Sequence, residues 1–180
     1  MVKVPAKITP SYLENAALHY LERFASSSAN LRRVLMRKVA RSVAHWGGDT
    51  AEHTPQVEEV VAKLARLGYV NDAAYAEAKV RALHRAGKGS RTIRATLAAK
   101  GVAADHAAAA FDALAEDVAE PDLAAAIRLA RKRRLGPFRR DGRAETRNKD
   151  LAALARAGFD FDICRRIIDA ESAEALEEVG

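Results

Sequence analysis

The sequence has few residues that could build a disulfide or a membrane span. Cys164 is the one cysteine among 180 residues, so no disulfide can form within the chain, as is typical of a reducing compartment. No apolar run approaches the roughly 20 residues of a transmembrane helix, and the N-terminus lacks the apolar core of a signal peptide. We therefore expect a cytoplasmic protein in which Cys164 is a buried, unreactive thiol.

Aromatic residues and strand signals are also scarce. Aromatic residues make up 6% of the chain, whereas alanine supplies much of its 49% hydrophobic content. Alanine favours helices but buries little apolar area. No segment shows the sustained alternation of β-branched residues that is typical of strands. The composition therefore predicts an all-α protein with thin helical cores.

Signals for catalysis are weak throughout the chain. The five histidines are scattered, and no two share the spacing of metal ligands on one helix. The turn at 87–90 lacks the glycine spacing of a phosphate-binding loop, and no nucleophile elbow occurs. We expect no enzyme activity, no cofactor and no metal. Turnover of nucleotides by the purified protein would revive the enzyme alternative.

Signals for helix starts and ends are abundant. Thr9-Pro10 and Thr54-Pro55 combine a capping residue with a proline suited to the first turn, and Ser11 and Glu14 are spaced for a capping box. Three helix ends share the pattern Leu-x-x-x-Gly-apolar, in which the last residue is expected to fold back on the leucine. These ends are Leu64–Tyr69, Leu97–Val102 and Leu154–Phe159. The predicted helices are 10–25, 28–44, 55–67, 72–86, 90–100, 104–117, 121–135, 143–157 and 160–170.

The nine predicted helices group in threes. A shift of 62 residues places Leu35 on Leu97, and a shift of 57 places Gly101 on Gly158. Such tandem units tend to form elongated arrays, and we expect the linkers at 46–53 and 136–142 to bend. The predicted architecture is three tandem three-helix repeats in an elongated, curved array. The repeats are 10–67, 71–118 and 121–170, followed by an acidic tail at 171–180 whose helix end is frayed.

Positive charge is concentrated in one part of the chain. The net charge is +6, and residues 121–150 contain ten Lys/Arg and four acids, so the remainder balances to zero. We interpret an isolated stripe, such as Arg33, Arg37 and Arg41, as a solvated surface. The cluster at 128–147 differs because nearby acids are too few to neutralise it, and arginine suits phosphate and carboxylate. It predicts a surface for nucleic acid or for an acidic protein.

A second basic stripe begins in the predicted helix 72–86 and continues into the next. A helix-turn-helix reader of DNA is an alternative for the helix 90–100, but Arg91, Thr92, Arg94 and Thr96 are its only base-reading candidates, so we do not favour it. We expect Trp46 and Tyr69 to be packing or capping aromatics. The predicted partner-binding or nucleic-acid-binding residues are Arg81, Arg85, Lys88, Arg91, Arg94, Arg128, Arg131, Lys132, Arg133, Arg139, Arg140, Arg143, Arg147 and Lys149.

The most specific motifs lie between Leu67 and Val102. They read GYVND-x-x-YA from Gly68, GKGS-x-x-I from Gly87 and L-x-x-KGV from Leu97. These motifs resemble the RecX regulatory proteins of bacteria, and the resemblance extends more weakly over residues 12–170. One departure is Lys38-Val39 in the first repeat, where the second has Lys100-Gly101, and the helix there continues towards Trp46.

The resemblance implies three tandem three-helix repeats and a role in regulating the RecA recombinase, usually by inhibition. Family members lie in the groove of the RecA–single-stranded DNA filament and oppose filament growth, ATP hydrolysis and strand exchange. The implied processes are recombination, DNA repair and the SOS response. We expect a monomer that binds this filament, with free DNA as a further ligand to test. The alternative is a helical DNA-binding protein that acts without a recombinase.

Overall fold

The computed structural model describes residues 4–177, with side chains through Leu176, and its regular structure in that range is entirely helical. The all-α prediction is confirmed, and each of the nine predicted helices is present. The largest difference is in α1, which was predicted to reach residue 25 and ends at Leu21. The helices are α1 (Pro10–Leu21), α2 (Ser28–Trp46), α3 (Thr54–Arg66), α4 (Asp72–Arg85), α5 (Ser90–Ala99), α6 (Ala104–Asp117), α7 (Pro121–Arg133), α8 (Arg143–Ala157), α9 (Phe161–Ile168) and α10 (Ala173–Glu177).

The first helix start is capped as its sequence predicts, but by one mechanism only. The Thr9 side chain accepts a hydrogen bond from the Tyr12 amide at 3.1 Å, and Pro10 begins α1. The predicted capping box is therefore wrong, because Ser11 already lies inside the helix. Its expected partner, Glu14, instead binds the Lys63 ammonium group at 2.7 Å.

At the second predicted helix start, Thr54-Pro55, the cap is not the predicted residue. A 3₁₀ turn at Thr50–His53 runs directly into α3, so Thr54 is the first helical residue and not its cap. The predicted linker at 46–53 is thus partly helical. The extension of the preceding helix is confirmed, because α2 continues to Trp46.

The three helix-ending glycines have the expected left-handed backbone. The φ angles of Gly68, Gly101 and Gly158 are +78°, +72° and +99°. After Gly158, Phe159 is buried in the same core as Leu154, as predicted. After Gly68, however, Tyr69 is 58% exposed, and the next residue, Val70, is buried in its place. The predicted fold-back and packing of the Tyr69 side chain are therefore wrong, although the Tyr69 amide donates to the Leu64 carbonyl at 2.9 Å and so caps the end of α3.

The chain divides into two compact units. The first comprises the chain up to Tyr75 together with Lys100–Ala103. Its core lies between α1, α2 and α3, and Leu13, Leu31 and Leu35 are fully buried there. Ser27 donates a hydrogen bond to the Lys100 carbonyl at 2.5 Å, which attaches the separate segment to the start of α2.

The second unit comprises Ala76–Ala99 and the chain from Ala104 onward. Its largest core is formed by α7, α8 and α9, around Phe159, Ile167 and Ile168. Leu176 of α10 is buried in the same core, so the start of the predicted acidic tail packs on the domain. Residues 178–180 of that tail lie outside the described residues. The predicted repeat boundaries stay a prediction.

Within the second unit, the turn before α5 meets the end of α8 backbone to backbone. The Gly89 amide donates to the Ala157 carbonyl at 2.9 Å. A Cβ atom on Gly89 would lie 2.4 Å from the Gly158 carbonyl carbon, so no side chain fits there. The Ser90 amide and hydroxyl both donate to Asp122, at 2.9 and 2.7 Å. These contacts join the predicted second and third repeats.

Candidate partner and nucleic-acid interface

The C-terminal end of α7 carries the densest cluster of predicted binding residues. Leu123, Ile127 and Ala130 of this helix are buried, whereas Arg128 and Lys132 are exposed on another face. The last turn is basic, which also stabilises the negative end of the helix dipole. The helix ends at Arg133, and Arg134 takes a left-handed conformation with φ of 54°.

Arg128 is oriented by a buried histidine. The Nε2 atom of His84 lies 2.7 Å from the Pro121 carbonyl, so Nε2 carries the proton and Nδ1 is an acceptor. Arg128 Nη2 lies 3.3 Å from both ring nitrogens of His84 and donates to the His84 carbonyl at 3.3 Å. Burial lowers the pKa of His84, and Arg128 and Arg85 lower it further, which outweighs the opposing effects of the Pro121 hydrogen bond and Asp122. The guanidinium is thus held by a neutral partner and keeps its net charge.

The same contact brings the two predicted basic stripes together. Arg85 lies in the last turn of α4, beside His84, and is exposed. Because α4 reaches the start of α7 through His84 and Pro121, Arg85 and Arg128 both lie close to the same imidazole. The sequence placed these residues in separate stripes, and the fold makes them neighbours.

Arg139 is a part-buried residue of the second unit that pairs with a buried carboxylate. Its guanidinium makes two hydrogen bonds of 2.7 Å to the fully buried carboxylate of Asp150 in α8. The Gly136 amide donates to the same carboxylate at 2.9 Å. The Arg139 hydrogen bonds, helped by Gly136, hold the pKa of Asp150 below its usual value against the effect of burial. The start of the predicted flexible linker at 136–142 is therefore fastened to α8.

Arg143 and Arg147 bind the end of α9. Arg143 donates to the carbonyl of Ile168 at 2.8 Å and to that of Ala170, which satisfies carbonyl groups that the helix leaves unpaired. Arg147 makes two hydrogen bonds of 2.7 Å to Asp169, and they lower the pKa of that carboxyl group. Two members of the predicted cluster are thus used inside the fold.

Part of the stripe on α4 and α5 is likewise engaged. Arg81 pairs with Asp117 at 2.5 Å, and Arg91 donates to the Ala155 carbonyl at 3.2 Å. The Arg94 guanidinium lies 4.1 Å from the centroid of the Phe111 ring. These arginines connect α4, α5, α6 and α8, although Arg91 and Arg94 remain exposed.

The remaining candidates are solvent-facing or lie in a turn. Lys88 is half-buried in the turn before α5, and Arg131 lies 5.7 Å from the centroid of the Phe138 ring. Several exposed candidates form no ion pair or hydrogen bond through their side chains within residues 4–177. They are Arg85, Lys132, Arg133, Arg140 and Lys149.

Two carboxylates that pair with these arginines are not predicted from the sequence. Asp169 lies outside the basic window 121–150, and Asp150 is one of the four acids within it. A signal for Asp150 was available, because it precedes Leu154 by four residues and Ala157 by seven, which places it on the buried face of α8. The stripe with Arg37 and Arg41 on α2, which we expected to be solvated surface, lies in a groove.

Within residues 4–177, no group of three or more His, Cys, Asp and Glu side chains is arranged to hold a metal ion. In that same range, no helix combines the length and apolar character needed to cross a bilayer.

Fold and surface together define a class: an all-helical protein built from three-helix groups, with basic side chains on several exposed helix faces. Residues 71–110 match the family model described as RecX, second three-helix domain. The chain is 48% identical to the regulatory protein RecX of Myxococcus xanthus over 173 residues, covering 95% of this chain and 91% of that one. It is 34% identical to the regulatory protein RecX of Agrobacterium fabrum, covering 92% and 86%.

Solved structures agree with these sequence relationships. The crystal structure of RecX from Lactobacillus salivarius matches with a TM-score of 0.64 and 28% identity, covering 89% of this chain and 94% of that one. A second crystal structure, of regulatory protein RecX, matches with a TM-score of 0.65 and 25% identity, covering 90% and 72%. The chain belongs to the RecX family of regulatory proteins.

Proposed function

We propose that this chain binds the RecA–single-stranded DNA filament and mainly inhibits its growth, ATP hydrolysis and strand exchange. Through this activity it regulates recombination and DNA repair without acting as an enzyme. Membership of the RecX family supports a regulatory role, since its relatives are named regulatory proteins. The observation that carries the proposal is the end of α7, where Lys132 and Arg133 are exposed and have no carboxylate partner among the described residues.

The filament supplies the complementary charge. Its DNA carries one phosphate per nucleotide, and release of condensed counterions favours the binding of cationic side chains. Lys132 and Arg133 are exposed at the end of α7, and Arg128 is fixed by His84 one turn earlier. Side chains that are already oriented lose less conformational entropy on binding. These three residues, with Arg85 and Lys88, form the proposed anchor in the second unit.

The first test is recombinase ATPase activity on single-stranded DNA, with the full chain titrated in. We expect ATP hydrolysis to fall progressively with added protein. Mobility of labelled DNA, with and without recombinase, separates this function from the alternative of a DNA-binding protein that needs no partner. Equal binding to naked and to recombinase-coated DNA, with unchanged ATPase activity, would favour the alternative.

The second test reverses single charges. Arg133→Glu should weaken filament binding, and the loss should shrink as salt rises because exposed charges are screened. Arg66→Glu is the matched control, because Arg66 is exposed at the end of α3 and makes the same change of net charge. Equal affinities of the two variants at low and moderate salt would refute the assignment of the α7 end.

A further inference from the structure

A groove between α1 and α2 in the first unit combines positive charge with aromatic rings. Its walls include Arg23, Tyr20 and Phe24 from α1 and the segment after it, and Arg37, Lys38 and Arg41 from α2. A larger hollow of about 650 Å³ continues from it, shares Lys38 and Arg41, and adds Tyr12 and His45. Both hollows lie entirely within the first unit.

The positive charge of the groove has no counter-charge along its walls. No carboxylate lines either hollow, and α2 contains no Asp or Glu from Ser28 to Trp46. Within residues 4–177, the side chains of Arg37, Lys38 and Arg41 form no ion pair or hydrogen bond. His19, which also lines the groove, lies 3.6 Å from Glu22, the residue that follows α1. An anion entering the groove therefore meets three cations that have no partner among the described residues.

The aromatic rings of Tyr20 and Phe24 line the same groove. Phe24 is 51% exposed, so part of its ring is accessible to a ligand in the groove. Its ring packs near Tyr20, with centroids 5.3 Å apart, and the Arg23 guanidinium lies 5.6 Å from the Phe24 centroid. An exposed ring beside a row of cations suits a ligand with alternating flat rings and negative charges.

We propose that this groove binds single-stranded nucleic acid directly, with Arg37, Lys38 and Arg41 along the sugar–phosphate backbone and Phe24 stacked on an unpaired base. Cationic grooves with aromatic platforms bind single strands in this way because every base offers a flat face. Duplexes keep their base faces stacked inside, so Phe24 would have nothing to contact. An acidic peptide would satisfy the cations and leave the exposed ring without a partner. The inference deepens the proposed function by giving the DNA strand a site of its own.

The first experiment measures fluorescence anisotropy of a labelled oligo-dT strand with the full chain, without recombinase, over a range of salt. Arg37→Gln/Arg41→Gln should reduce the slope of log affinity against log salt by about 1.4, since each phosphate contact on a single strand contributes about 0.7. Arg32→Gln/Arg66→Gln is the matched control, because it removes two charges of the same unit outside the groove. Arg32 pairs with Glu58 of α3 instead. Equal slopes for both double variants would overturn the proposal.

The second experiment tests stacking. Phe24→Leu should weaken oligo-dT binding roughly tenfold, which corresponds to about 1.4 kcal/mol, because one stacked base is lost, and it should leave duplex binding unchanged. Phe24→Tyr keeps an aromatic ring and should bind as the unchanged chain does. Equal losses for single and double strands, or a Tyr variant as weak as the Leu variant, would refute the stacking role. Competition by poly-glutamate as strong as that by oligo-dT would refute a nucleic-acid site and favour an acidic protein segment.

The two proposals can fail separately. If the groove variants bind oligo-dT normally while the chain still inhibits the recombinase, only the groove assignment is wrong. If the groove variants lose oligo-dT binding while the unchanged chain has no effect on recombinase ATPase activity, only the proposed function is wrong. Thermal unfolding of each variant, followed by circular dichroism, confirms that the compared proteins are folded.

Discussion

Two helices of this protein each carry two arginines four residues apart, and the two pairs differ in their surroundings. Arg37 and Arg41 of α2 make no ion pair or hydrogen bond within the described part of the chain. Arg143 and Arg147 of α8 are bound to carbonyl and carboxylate groups at the end of α9. The spacing on each helix is the same, so the difference comes from what another helix presents. Charge density along a sequence therefore overstates the charge available to a partner.

The largest effect on stability is expected for Arg139, whose partner is the buried carboxylate of Asp150. Arg139→Gln should lower the free energy of unfolding by about 3–5 kcal/mol, because it leaves the buried carboxylate of Asp150 without its charged partner. Urea denaturation followed by circular dichroism measures the change. Arg140→Gln is the control, because Arg140 is the next residue and its side chain is exposed. It should change the free energy of unfolding by no more than about 0.5 kcal/mol. Similar values for the two variants would contradict the structural role of Arg139.

The ion pairs of Asp150 and Asp169 predict that the free energy of unfolding depends on pH. The pKa values of Asp150 and Asp169 are lowered by their arginine partners, so the unfolded chain binds more protons than the folded chain in acid. Their contribution is complete above the ordinary Asp pKa of about 4 and is lost as pH falls through the lowered values. Urea denaturation at a series of acid pH values should show the fall. Arg139→Gln should flatten it, and an unchanged slope in that variant would argue against the Asp150 contribution.

A smaller effect is expected for the exposed pair at the end of α9. Side chains of Arg147 and Asp169 are 43% and 38% exposed, so water and salt screen their attraction. Arg147→Gln should cost about 1 kcal/mol or less, measured by urea denaturation. The cost should shrink further at high salt, and a loss as large as that of Arg139→Gln would show that exposure does not rank these pairs.

The smallest effect is expected in the groove. Arg37 and Arg41 are one helical turn apart and repel each other. Arg37→Gln/Arg41→Gln should therefore raise the free energy of unfolding by about 0.2–0.5 kcal/mol. The midpoint of thermal unfolding should rise slightly, even as binding of single-stranded DNA falls. A loss of more than about 1 kcal/mol would mean that these arginines are structural after all.

The helices could be predicted from the sequence because their signals are local. Thr9-Pro10 and the glycines at 68, 101 and 158 act within one turn of the chain, and the structure has helix boundaries near each of them. The exception at Tyr69 is instructive, since which of two neighbouring apolar residues turns inward depends on the shape of the core. That shape is set by helices distant in sequence.

The candidate site was harder to predict, since it depends on contacts between distant residues. Arg139 and Asp150 are 11 residues apart, and Arg128 and His84 are 44 apart. No local pattern tells a paired arginine from a free one. The absence of acids in α2 is visible in the sequence, but the groove also needs Tyr20 of α1 and Phe24 of the segment after α1, which only the fold places beside α2.

The buried thiol of Cys164 has a practical consequence for the experiments above. It is fully buried near the Phe159 carbonyl, and burial raises its pKa, so little reactive thiolate is present at neutral pH. A second cysteine placed at a solvent-facing position should therefore react with a maleimide dye far faster than Cys164. Fluorescent reporters can then be attached to either unit of the native sequence without first removing its own sulfhydryl group.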